Sequence, residues 1–120
     1  MTQQLTVDVR HDDPFTVITV NGEIDIDTAP RLREIVTEVT DAGADRLVFD
    51  LSDVGFVDSI GLGVFVLARK KMQLRQGTVD IVASTRRVVA IFRIAGLDEL
   101  FRVRPTLAAV LADEDPAEPA

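Results

Sequence analysis

The connection between the first two predicted strands constrains the fold of this chain more than any other feature. Residues 5–9 (LTVDV) alternate apolar and polar side chains, and residues 15–20 (FTVITV) are rich in β-branched ones; both patterns are typical of strands. Only residues 10–14 separate them, whereas two parallel strands need a crossover of about a dozen residues or more. The sequence therefore predicts an antiparallel hairpin, with Asn21-Gly22 breaking the second strand.

Helices and strands alternate after the hairpin. The predicted elements are, in order, a helix capped by Asp27 or Thr28 and ended by Gly43, a strand at 46–51, a helix over 64–74 ended by Gln76-Gly77, a strand at 78–83, a helix capped by Ser84 or Thr85 and ended by Gly96, a short strand near 100–103 and a helix at 107–112. Strands that alternate with helices are parallel and joined by right-handed crossovers. We therefore predict one α/β domain over residues 1–112, with a small mixed β-sheet flanked by about four helices.

The composition excludes several classes of protein. Hydrophobic residues make up 47% of the chain, which excludes wholesale disorder, and no apolar run approaches the roughly 18 residues of a membrane span. The chain has no cysteine and its N-terminus lacks the pattern of a signal peptide, so we expect a cytoplasmic protein. Residues 113–120 (DEDPAEPA) are acidic and contain proline, which predicts a disordered tail.

The charged residues are distributed unevenly along the chain. Residues 8–58 carry 13 acidic and 4 basic side chains, whereas residues 59–97 carry 7 basic ones and a single acidic one. Solvated helix faces explain this pattern simply; a molecule with one acidic and one basic face would instead suit a protein partner. The net charge of −7 argues against nucleic-acid binding. We predict no direct contact with nucleic acid or with a membrane.

The residues that could support catalysis are few. His11 is the only histidine and lies in the predicted hairpin turn, where a surface role is the simplest interpretation. Gly61 and Gly63 lie between a strand and a helix, but Val66 occupies the third glycine position of a dinucleotide fingerprint, and no Gly-Lys-Ser/Thr sequence follows. We therefore predict no enzyme activity, no metal site and no cofactor.

Several side chains at predicted strand ends resemble those of a response-regulator receiver domain. Asp12-Asp13, Asp50, Ser84 and Arg104-Pro105 follow the order of the acidic pair, phosphoacceptor, hydroxyl and Lys-Pro of that family. The short hairpin contradicts this hypothesis, because a receiver has a helix between its first two strands. Phosphotransfer through Asp50 remains a rival; an acyl phosphate on aspartate would support it, and an acid-stable phosphate on serine would exclude it.

The segment FVDSIGLGVF (residues 56–65) places two glycines at the start of a predicted helix. Glycine inside a helix costs about 0.5–1 kcal/mol relative to alanine. A capping role for Asp58 or Ser59 explains the helix start but not the glycines. Glycines in a first turn let another surface approach the backbone closely. With Ile60 and Leu62 beside them, we interpret this helix start as a contact surface around a serine hydroxyl.

These residues resemble the STAS domain, and specifically the bacterial anti-sigma factor antagonists. The resemblance rests on Gly22-Glu23-Ile24-Asp25 after the second strand and on Asp58-Ser59-Ile60-Gly61-Leu62-Gly63 at the second helix, and the order of elements matches from residue 4 to about 112. It implies that a serine kinase, itself an anti-sigma factor, phosphorylates Ser59 using ATP that the kinase carries. The unphosphorylated form then binds the kinase and frees a sigma factor, and a serine phosphatase resets the phosphorylated form.

The resemblance also implies a set of contact residues. Asp25 matches the motif aspartate near the phosphorylated serine, and the full predicted partner-binding set is Asp25, Thr28, Asp58, Ile60, Gly61, Leu62 and Gly63. Ile60 stands where the family more often has Ser, Thr or Ala, a difference that concerns the choice of partner. The alternative is a STAS module that acts as a ligand sensor or scaffold without phosphorylation, in which Ser59 is purely structural.

Overall fold

Strands and helices alternate through residues 5–112, the part of the chain described by the computed structural model. In chain order they are β1 (Thr6–Asp12), β2 (Phe15–Ile24), α1 (Ala29–Asp41), β3 (Arg46–Val57), α2 (Ser59–Gln73), β4 (Thr78–Val82), α3 (Arg86–Ile94), β5 (Arg102–Arg104) and α4 (Leu107–Leu111), with a 3-10 turn over Leu97–Glu99. The predicted disordered tail, residues 113–120, lies outside the described residues.

The strands form one sheet in the order β1-β2-β3-β4-β5. β1 pairs with β2 antiparallel, and each later strand pairs with its predecessor in parallel. The mixed sheet predicted from the short first connection is therefore confirmed. Because α1, α2 and α3 each join two parallel neighbours, the carboxyl ends of β2, β3 and β4 lie at one edge of the sheet.

The two faces of the sheet are covered unequally. Residues of α1, α2 and α3 pack with one face in the main core, through which a chain of ring contacts runs from Phe49 to Phe65, Phe92 and Phe101. The other face has a smaller cluster under α4, made of Phe15, Val17, Val48, Val82 and Val110. The ring contacts fix α2 against β3, and so they fix the position of the first turn of α2.

β2 and β3 extend well beyond their predicted ends. β2 does not break at Asn21-Gly22: Gly22 adopts a φ of +119°, the β2–β3 register shifts, and the strand continues to Ile24. Glycine reaches this backbone conformation without strain, so the strand bulges instead of ending. β3 correspondingly continues to Val57, past the predicted end at residue 51 and beyond its last pairing with β4 at Asp50.

Smaller differences concern the ends of elements. β1 extends through His11 to Asp12, so the turn consists of Asp13 and Pro14, joined by a cis peptide bond; His11 lies in a strand and not in the turn. His11 is exposed, as predicted, and its Nδ1 lies 3.4 Å from Thr16 Oγ1 across the hairpin. The helices start and end close to their predicted residues, except that α2 starts at Ser59, five residues before the predicted start of the helix at Val64.

Candidate functional site

The ends of β2 and β3 bring the two sequence motifs together. Glu23 pairs with Phe56 and Ile24 with Val57 in the parallel ladder. Immediately beyond it, the Asp58 N–H donates to the Ile24 carbonyl over 3.0 Å. The loop that follows β2 and the first turn of α2 therefore lie side by side at the carboxyl edge of the sheet.

The loop after β2 is held by hydrogen bonds among its own residues. The Asp25 Oδ1 accepts the N–H groups of Asp27 (2.9 Å) and Thr28 (3.1 Å), which shapes the entry to α1. The Thr28 hydroxyl donates to the Glu23 carbonyl over 2.7 Å and accepts the Asp25 N–H over 2.9 Å. Thr28 is buried and its side chain is used inside the loop; its predicted contact with a partner stays a prediction.

Asp58 begins α2 as its N-cap. Its Oδ1 accepts the Gly61 N–H over 2.8 Å, and its backbone carbonyl accepts the Leu62 N–H over 2.9 Å. The next residue, Ser59, is the first of the helix and is exposed. Its hydroxyl makes no hydrogen bond to any residue in the range 5–112. A free hydroxyl at a helix N-terminus is accessible to modification by another protein.

The two glycines of this turn face different surroundings. A Cβ on Gly61 would lie 2.6 Å from Ile24 Cγ2, 2.9 Å from the Ile24 carbonyl oxygen and 2.9 Å from Val57 Cγ1. Gly61 is therefore glycine because α2 packs closely on the end of β2; it is buried, and its predicted contact with a partner stays a prediction. A Cβ on Gly63 would meet nothing within 4 Å, and Gly63 is exposed. Of these two glycines, only Gly63 offers bare backbone at the surface.

Two large apolar side chains are exposed near Ser59. Ile60, which the sequence singled out, is 42% exposed, and Ile26 in the loop after β2 is 66% exposed. Leu62 is half-buried and packs against the main core. Ile26 was missed because a lone apolar residue in a polar loop carries no periodic signal; its place one residue after Asp25 was the available clue.

Carboxylates flank these apolar side chains along the chain. The two segments that meet at this edge, residues 23–28 and 56–63, contain no basic residue; their charged residues are Glu23, Asp25, Asp27 and Asp58. A cation lies beside this edge: the guanidinium carbon of Arg87, in α3, is 5.6 Å from the centre of the Phe56 ring. The surface around Ser59 thus combines exposed apolar groups with negative charge.

The receiver-like residues do not assemble into one site. Asp12 and Asp13 lie at the hairpin, next to the amino end of β2, whereas Asp50 lies further along β3, opposite Thr19 of β2. The Asp50 Oδ1 accepts the Ser52 hydroxyl over 2.6 Å and the Ser52 N–H over 3.1 Å. Asp50 is therefore engaged locally, and its partner Thr19 lies four residues along β2 from Phe15, the residue that pairs with Asp12.

Buried charges lie on the face of the sheet that α4 partly covers. Asp80 is 4% exposed, and burial raises the pKa of its carboxyl above the usual range, while Arg102, Arg46 and Arg104 act in the opposite direction. The Asp80 Oδ1 lies 3.9 Å from Arg102 Nε, and Arg46 stacks on the Phe15 ring at 4.2 Å. These groups stand apart from Ser59, so we assign them to packing of the sheet.

An open cleft of about 410 Å³ lies beyond the ends of β4 and β5. It is lined by Ala83, Ser84, Val89, Arg93, Asp98, Val103 and Pro105. Neither Ser59 nor the loop after β2 contributes to it. This cleft and the motif residues therefore lie at different places on the described surface.

Comparison with known proteins agrees with this geometry. The chain is 34% identical over 99 residues to the anti-sigma-B factor antagonist of Bacillus subtilis, covering 82% of this chain and 90% of that protein. An anti-sigma factor antagonist from Mycobacterium paratuberculosis superposes with a TM-score of 0.85 at 33% identity, over 91% of this chain and 92% of the other.

More distant structures share the fold alone. SpoIIAA in its unphosphorylated form has a TM-score of 0.75 at 18% identity, over 88% of this chain and 93% of the other, and the phosphorylated Bacillus form has 0.70 at 16%, over 89% and 98%. Among the described helices, none is long and apolar enough to cross a membrane. The profile of the STAS domain matches residues 6–110, and the chain therefore belongs to the STAS domain family.

Proposed function

We propose that this protein is an anti-sigma factor antagonist whose binding to an anti-sigma factor serine kinase is switched off by phosphorylation of Ser59. The observation that carries the proposal is the position of Ser59: exposed, first in α2, with a hydroxyl that bonds to none of the described residues. The relatives named anti-sigma-B factor antagonist, at 34% and 31% identity over most of the chain, support the role.

The unphosphorylated surface is suited to a protein partner. Ile26 and Ile60 expose apolar area that folding leaves in water, and burial of such area stabilises a complex by about 25 cal/mol per Å² before the entropic costs of association. Gly63, three residues after Ile60 in α2, presents uncovered backbone. The carboxylates around this surface favour a partner that presents basic side chains.

A phosphate on Ser59 is compatible with the fold. The N-terminus of a helix favours a nearby anion by about 0.3–1 kcal/mol, and Ser59 points away from the core. SpoIIAA, which shares the fold, has been solved in a phosphorylated form. Phosphorylation of Ser59 should therefore leave the stability of the domain almost unchanged.

The same phosphate opposes the complex. In a bound interface the dianion loses water close to Asp58 and Asp25, and this desolvation and repulsion costs several kcal/mol. Since about 4 kcal/mol corresponds to a thousandfold change in affinity, the effect on binding greatly exceeds the effect on folding. The phosphorylated form would release the kinase, which then binds its sigma factor, until a serine phosphatase removes the phosphate.

The kinase must bring the phosphate donor. The chain has no Gly-Lys-Ser/Thr sequence and no complete dinucleotide fingerprint, so ATP would be bound by the kinase. Ser59 acts as the substrate, and Asp58 orders the helix start that presents its hydroxyl.

The test has two parts. Phosphosite mapping of the protein purified from its own host should find an acid-stable phosphate on Ser59, and the host kinase that adds it should bind the wild-type chain.

Ser59→Asp should weaken that binding at least about a hundredfold, with an unfolding midpoint close to that of the wild type. Ser84→Asp is the matched control, because Ser84 is also exposed and follows the neighbouring strand β4; it should bind normally. Equal binding of the kinase by Ser59→Asp and wild type would exclude the proposed switch.

A further inference from the structure

The two edge strands of the sheet differ in how they are protected. β5 is only three residues long and is followed by Pro105. β1 is seven residues long, contains neither lysine nor proline, and pairs with β2 without a register shift. Natural proteins usually blunt an edge strand by shortness, charged side chains, proline or a bulge, because its unpaired backbone groups otherwise bind another strand. Of these features β1 has only the charged side chains Asp8, Arg10 and Asp12, and within residues 5–112 no strand lies on its outer side.

The side chains of β1 are ordered symmetrically about its central residue. Val9 has three residues of the strand on each side. If two copies of β1 pair antiparallel with Val9 opposite Val9, Asp8 of each copy lies opposite Arg10 of the other. All seven residues of both strands then overlap, and the two opposite-charge pairs follow from the twofold symmetry of such an interface.

The environment of these side chains fits the same pairing. Val9 lies beside Ile18 on the main-core face, yet it remains 38% exposed, which makes it one of the exposed large apolar side chains of the domain. Asp8 and Arg10 point to the other face and are both exposed. A second β1 would cover part of Val9 and bring each exposed charge next to its opposite.

We propose that β1 binds β1 of a second copy of this chain, so that two five-stranded sheets join into one sheet of ten. The twofold axis of an antiparallel pair is perpendicular to the sheet, so the two Ser59 surfaces would lie at opposite ends of the dimer. Ser59 follows β3, which is separated from β1 by β2. Each copy could therefore bind its own partner, and the dimer would form whether or not Ser59 is phosphorylated.

Sedimentation equilibrium from micromolar to millimolar concentration tests the proposal. The wild-type chain should dimerise, and Asp8→Arg or Arg10→Asp alone should weaken dimerisation about tenfold or more, because each turns two attractive pairs into two repulsive ones. An equimolar mixture of these two variants should recover the dimer as a heterodimer, since arginine at position 8 of one chain then faces aspartate at position 10 of the other. The double variant Asp8→Arg/Arg10→Asp should recover a homodimer.

The controls separate this interface from net charge and from misfolding. Asp98→Arg makes the same change in net charge as Asp8→Arg at an exposed residue after α3, towards the β5 edge, and it should dimerise like the wild type. Recovery in the mixture shows that both single variants are folded. The proposal would be overturned by a wild-type chain that stays monomeric at every concentration, or by single variants that dimerise as well as the wild type. In the first case the edge of β1 would be available to a strand of a different protein. Ser59→Asp should dimerise like the wild type. This sedimentation measurement needs no kinase, so its result does not depend on whether a kinase binds the chain.

Discussion

Packing against the sheet constrains the inner side of the first turn of α2 but not its outer side. On the inner side, Gly61 has no room for a side chain, because Ile24 and Val57 occupy the place of its Cβ. On the outer side, Ser59, Ile60 and Gly63 are exposed and Gly63 has open space around it. Packing explains the residue type at Gly61 but not at the three outer positions. Folding therefore dictates the residue on the inner side of this turn, whereas the residues on the outer side are free to be selected for binding.

Replacing the inner glycine should have the largest effect on stability. In Gly61→Ala the new methyl group meets the Ile24 carbonyl, which is backbone and cannot rotate away. Overpacking of this kind costs about 1–3 kcal/mol, and we expect the free energy of unfolding, measured in urea, to fall by about 2 kcal/mol or more. An unchanged free energy of unfolding would show that α2 can shift away from β2, and the contrast between the two sides would then disappear.

Removing the cap should have the next largest effect. In Asp58→Ala the Gly61 N–H loses its acceptor, and loss of an N-cap typically costs about 1 kcal/mol. Thr85→Ala at the start of α3 is the matched control, because Thr85 occupies the N-cap position without a capping side-chain hydrogen bond; it should cost clearly less. Equal losses in the two variants would mean that Asp58 stabilises the domain in some way other than capping.

The sequence predicted the elements well but could not separate the roles of the two glycines. Both stand in one helical turn with apolar neighbours, so their local signals are the same. What distinguishes them is long-range: β2 continues through the bulge at Gly22, and this brings Ile24 against α2. Propensity rules end a strand at Asn-Gly, and the parallel pairing with β3 overrides them here. The sequence also could not predict that Thr28, a candidate cap and contact residue, is buried, since the bond of its hydroxyl to the Glu23 carbonyl depends on where β2 ends.

The outer glycine should respond in the opposite direction from the inner one. Gly63→Ala adds a methyl group where nothing lies within 4 Å, and alanine is favoured in a helix by about 0.5–1 kcal/mol. We expect the unfolding midpoint to rise while binding of the kinase becomes weaker, because the methyl group occupies surface that the partner approaches. A rise in stability with unchanged binding would remove Gly63 from the contact surface and leave Ser59 and the isoleucines in it.

The smallest effect on stability is expected at the exposed isoleucines, where the contrast between folding and binding is sharpest. Ile26→Ser removes an apolar group that is largely in water, and Ile60→Ser removes one that is 42% exposed, so the free energy of unfolding should change by no more than about 0.5 kcal/mol at Ile26 and by somewhat more at Ile60. Binding of the kinase, measured by titration calorimetry, should weaken about tenfold or more, since an apolar anchor at the centre of an interface contributes about 1–2 kcal/mol or more.

Ile94→Ser is the control for this prediction. Ile94 is 85% exposed at the end of α3. Because α2 and α3 both run back from the carboxyl edge of the sheet, Ile94 lies at the opposite end of the domain from Ser59. If Ile94→Ser weakens binding as much as Ile60→Ser does, the partner does not recognise the surface around Ser59 through its apolar side chains, and the carboxylates and the hydroxyl alone must account for recognition.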